Sequence, residues 1–72
     1  MTKFIYIKDL EGVHTYWGAD ELLIAKGDIA RVEKTKNKIT VVNKNGCDIT
    51  LHSENEEKIN DLWGIFLWEL GD

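Results

Sequence analysis

The sequence predicts an α+β domain: about five antiparallel strands forming a curved sheet or partial barrel, with one C-terminal amphipathic helix packed on it. Three observations predict this class. Short β-favouring runs separated by turn residues occupy the chain as far as His52. The pair Asn45-Gly46 divides two of these runs, and Asn-Gly between strands is a strong hairpin marker. After them, the segment 54–70 repeats its apolar residues at helical spacing. At 72 residues the chain makes a single domain, 1–72, near the lower size limit for an isolated core.

Taken in order, Phe4-Ile5-Tyr6-Ile7 centres a first strand, 3–8, and Asp9-Leu10-Glu11-Gly12 reads as a turn. A second strand, 13–17, alternates Val13, Thr15 and Trp17 against His14 and Tyr16, and the two strands form a first hairpin. Gly18-Ala19-Asp20-Glu21 punctuates the chain before a strand at 22–26, where a run this short favours a strand over a helix. Ile29 and Val32 are three apart, so the strand 29–35 enters through a tight turn and then straightens. The strands 38–43 and 47–52 flank the Asn-Gly pair. If Asn45-Gly46 is a two-residue loop, Val42 faces Ile49 and Thr40 faces Leu51. Those four residues, with Cys47, then form the face that meets the helix, and a one-residue bulge would slide the register.

The helix, 54–70, starts from Ser53, whose Glu56 three residues on has capping-box spacing, and Gly71 follows as a C-terminal stop. Ile59, Leu62, Trp63, Phe66, Leu67 and Leu70 fall in one stripe roughly 140° wide, the width of a core-facing side. Glu57, Asp61, Gly64 and Trp68 lie opposite, with Ile65 on the flank. A tryptophan on a wet face points to a partner-binding patch of Gly64, Ile65, Trp68 and Asp61. The other reading folds Trp68 back onto the sheet.

Composition narrows the class further. One cysteine excludes an intrachain disulfide and, with no signal-peptide layout at the N-terminus, points to a reducing, cytoplasmic setting. No apolar run is long enough for a membrane span. The absence of proline and glutamine, the single arginine and the wealth of Lys, Asn and Ile suggest an AT-rich bacterial or phage genome. Net charge is −4, distributed unevenly: residues 54–72 hold six acids and one lysine, whereas 26–44 hold six bases and two acids. Such polarity suits pairing between copies as well as solubility.

The order Asp28-Ile29-Ala30-Arg31-Val32-Glu33, Ile39-Thr40-Val41-Val42, Asn45-Gly46, Ile49-Thr50-Leu51 and a helix bearing Trp63 resembles the final part of small bacterial pleckstrin-homology-like domains. It is also similar to short flagellar FlbD/SwrD-type proteins. The resemblance covers residues 28–70 and implies topology only, with no functional residues carried over.

Residues able to do chemistry are scattered. Ser53 is explained as a cap, and Cys47 and His52 lie five apart on one strand and so on opposite faces. His14, His52 and Cys47 lack metal-ligand spacing, and the glycines form no phosphate loop. No catalytic residue, metal site or cofactor is expected, and the chain is expected not to be an enzyme. The leading expectation is a protein–protein interaction module, a small accessory factor or inhibitor acting as a homo-oligomer. The alternative is a nucleic-acid-binding or anionic small-ligand-binding domain using Lys34, Lys36, Lys38 and Lys44 with Tyr6, Tyr16 and Trp17 for stacking. The acidic total and single arginine weigh against it, and edge lysines also keep strands from aggregating.

Overall fold

A computed structural model describes residues 3–71. Its strands are β1 Phe4–Ile7, β2 His14–Thr15, β3 Leu22–Ala25, β4 Ile29–Lys34, β5 Lys38–Asn43 and β6 Ile49–His52, followed by helix α1, Glu56–Leu70. The class is α+β, with six strands instead of about five, and they form two open antiparallel sheets. One sheet is the pair β1-β3 and the other has the order β2-β6-β5-β4. A short 3₁₀ turn, Lys26–Asp28, carries the chain from β3 into β4, where the Ile29–Val32 spacing indicated a tight entry.

The expected first hairpin does not form. β1 pairs with β3, placing Ile5 opposite Ile24 and Ile7 opposite Leu22, while β2 pairs with β6. Between them, the Val13 N–H donates to the Leu10 carbonyl, and both side chains sink into the core. β2 is also shorter than the strand 13–17. After Thr15 the chain turns, held by bonds from the Gly18 N–H to its carbonyl and from the Ala19 N–H to its Oγ1.

The β5–β6 hairpin turns where Asn45-Gly46 indicated, but its register is one residue away from the expected one. Ile39 faces Leu51 and Val41 faces Ile49. Within this turn only Gly46 has positive φ, at 87°, and its N–H donates to the Asn43 carbonyl, so Lys44 and Asn45 are the central residues of the turn. Ile39, Val41 and Leu51 are fully buried, while Thr40, Thr50 and Val42 are half-buried and Cys47 is exposed. The energetic reason is direct. Burying an Ile side chain stabilises by about 1.5–3 kcal/mol, whereas the expected register would bury the Thr40 hydroxyl, which costs about 1–3 kcal/mol without a partner.

α1 also begins later than expected. Asn55 is its N-cap, accepting from the Glu57 N–H at 3.0 Å and the Lys58 N–H at 3.4 Å. Ser53 is buried instead, its Oγ accepting from the Asn55 N–H and its backbone tied to Asn37. Gly71 ends the helix without left-handed backbone, at φ −87°, and a Cβ there would lie 2.6 Å from the Leu67 carbonyl oxygen. Its place depends on close approach to that oxygen. The helix buries Ile59, Leu62 and Phe66 and half-buries Trp63 and Ile65. The stripe is thus turned toward Ile65, leaving Leu67 56% exposed and Leu70 at the surface. Lys26 meets Glu69 at 3.0 Å, fastening the 3₁₀ turn to the last helical turn.

Candidate docking surface

Residues 61, 64, 65 and 68 are neighbours at three- and four-residue spacing, so Asp61, Gly64, Ile65 and Trp68 form one strip along α1. Asp61, Gly64 and Trp68 are exposed, and the Trp68 indole stands 85% in solvent. A Cβ on Gly64 would meet nothing within 4 Å, so the surface beside the indole is open and flat. Ile65 belongs to this strip only by one edge, because it is half-buried against the core.

On that flank lies a cleft of about 390 Å³ between α1 and the end of β1, lined by Tyr6, Asp9, Lys58, Asp61, Leu62 and Ile65 among others. Asp9 and Lys58 form an ion pair at 2.9 Å beside it. The Lys58 ammonium, and then the Glu11 N–H, hold the Asp9 carboxyl below the usual carboxylate range. The Tyr6 hydroxyl donates to Glu21, and that bond to a carboxylate raises the phenol above its ordinary value.

On the other flank, β4 and the C-terminal half of α1 enclose a groove of about 300 Å³. Ile29, Val32, Trp63, Leu67 and Leu70 are among its walls, and the buried Phe66 lies at its base. This groove exists because Leu67 and Leu70, expected in the core, stop short of the sheet edge. Nothing local in the sequence signals it, since it depends on β4 being the last strand of its sheet.

The lysines do not converge. Lys34 pairs with Ile39 and so shares the face of the buried Ile39, whereas Lys38, one residue away, projects from the opposite face. Lys36 sits in the intervening turn, 3.9 Å from Glu56. Lys44 lies at the far end of β5, about 20 Å from Lys38 at a strand rise of about 3.4 Å per residue. Tyr16 and Trp17 are exposed and meet edge-to-face at 5.6 Å, in the turn after β2.

The fold also brings together a pair that sequence spacing hid. His14 and His52 face each other across β2 and β6, with ring centroids 6.3 Å apart. Among the described residues no group of three or more His, Cys, Asp or Glu is placed to hold a metal ion. No described helix is long and apolar enough to cross a membrane. Comparison with protein-family models, curated proteins and solved structures finds no match to this chain.

Proposed function

We propose that this chain is a non-catalytic protein–protein interaction module, a small accessory factor or inhibitor that captures a protein partner on the outer strip of α1 and works as a homo-oligomer. Trp68 carries the reading. An indole buries about 150–250 Å² when it packs, so leaving one in water forgoes several kcal/mol at about 25 cal/mol per Å². Large aromatic side chains of this kind anchor protein interfaces, surrounded by flatter contacts that exclude water. Gly64 provides the flat ground, Ile65 an apolar flank, and Asp61 a charged rim.

The test is Trp68→Ala. The variant keeps the fold and melting temperature, because its side chain supports nothing in the core. It loses a stoichiometric protein partner retained by the wild type in affinity capture, and the partner shifts Trp68 emission to the blue in the wild type. Equal capture by both proteins, or unfolding of the variant, would falsify this reading.

A further inference from the structure

β4 is the open edge of the four-stranded sheet, and alternate residues along it aim their backbone groups outward. The Thr35 N–H donates to the Lys38 carbonyl at 2.8 Å, which makes that a hydrogen-bonded pair. In an antiparallel ladder such pairs alternate with non-bonded ones. Glu33, opposite Thr40, therefore turns its N–H and C=O toward β5, while Val32 and Lys34 turn theirs to the open edge. Arg31 and Glu33 flank Val32 on the sheet's outer face. Both are well exposed and, among the described residues, joined only to each other, Nε to Oε2 at 2.8 Å.

We infer that two copies of this chain pair antiparallel along β4, about a two-fold axis through Val32. In that register Val32 exchanges both of its free backbone hydrogen bonds with the partner's Val32. Arg31 then faces the partner's Glu33, and Glu33 faces the partner's Arg31. Opposite charges directly across a strand pair stabilise it and like charges oppose it. That rule selects the register. An axis through Lys34 sets two lysines against each other, and one through Ala30 falls on the bulge between Ile29 and Arg31. The bulge and Lys34, both devices that blunt an edge, bound the pairable stretch at its two ends. The opposite edge of the sheet is β2, two residues long, so the assembly closes as a dimer instead of growing.

A two-fold axis perpendicular to the sheet also puts both helices on the same side. The groove beside Val32 in each copy then opens onto its counterpart, and the exposed flanks of Leu67 and Leu70 face each other across the axis. Trp68 is absent from this groove and stays free for another partner. The dimer shares with the proposed function the idea of an assembling protein, but uses a different surface.

Trans-complementation tests the pairing. Light scattering on a sizing column, at roughly 0.1 mM protein to suit a small interface, should show a wild-type dimer. Arg31→Glu and Glu33→Arg each place two like-charge contacts across the axis and should weaken the dimer at least about tenfold. An equimolar mixture of the two variants restores both opposite-charge contacts between chains and should run as a dimer again. Neither chain regains its internal ion pair in the mixture, so a folding effect cannot mimic the rescue. Trp68→Ala should remain dimeric, which separates this surface from the helix strip. If a variant fails to fold, amide exchange on the wild type still decides. The Val32 N–H should be protected at high concentration and exchange freely on dilution. A monomeric wild type, two variants that dimerise unaided, a mixture that stays monomeric, or a Val32 amide indifferent to concentration would overturn the proposal.

Discussion

At the scale of single residues, each described ion pair keeps at least one side chain partly in solvent, and its effect is correspondingly modest. Asp9 illustrates how one such contact shows itself in pH. Its carboxyl is depressed in the folded state by Lys58 and the Glu11 N–H, so the folded protein binds fewer protons than the unfolded chain around the ordinary carboxylate value. The stabilisation is therefore present above about pH 4, the unfolded value, and is lost as pH falls through the lower folded value. Thermal melts of wild type and Asp9→Asn should differ at neutral pH and converge in acid. Added salt should shrink the neutral difference, because both groups reach solvent. Curves that stay equally far apart at all pH values would mean that Asp9 acts through its turn geometry and not its charge.

At the scale of elements, what was legible in the sequence followed how local each cause is. The turn at Asn45-Gly46 and the existence of α1 depend on neighbouring residues, and both are present. Pairing depends on distant ones. The partner of β1 turned on how Leu10 and Val13 settle in the core, and the β5–β6 register on one extra loop residue that no pattern in the strands announces. The off-stripe position of Trp68 could be read from helical spacing alone. The same spacing misplaced Leu67 and Leu70, because the tilt of a helix over its sheet is a tertiary outcome. The helix start shows the same division of causes. Ser53 and Asn55 are both good caps by type, and the strand pairing decides between them by tying Ser53 to Asn37. Asn55→Ala should cost about 1 kcal/mol by exposing the first N–H groups of α1. Ser53→Ala should cost a similar amount, about 1 kcal/mol, for a different reason: the Asn55 N–H loses its acceptor. Hydrogen exchange separates the two, because a lost cap frays the amides of Glu57 and Lys58, while Ser53→Ala frees the Asn55 amide and leaves the backbone tie to Asn37 in place.

At the scale of the whole molecule, one cluster of buried side chains holds two small sheets and a helix together. That cluster draws on both sheets and on α1, so neither sheet can leave without exposing the other, and unfolding should be a single transition. A chain of this size carries only about 0.05–0.15 kcal/mol of stability per residue, too little to waste on open apolar surface. Yet Phe4, Tyr6 and Leu23 on the outer face of the β1-β3 pair, and Leu67 and Trp68 on α1, all remain in water. Apolar surface left out of one copy is surface available to a second, and association then adds to the stability of the fold. The consequence is measurable without knowing any partner. If β4 joins two copies, the melting temperature should rise with protein concentration in the wild type and in Trp68→Ala. It should be flat in Arg31→Glu alone and rise again when that variant is mixed with Glu33→Arg. A wild-type melting temperature independent of concentration would confine the chain to a monomer. The outer strip of α1 would then remain as its proposed surface, for a different protein.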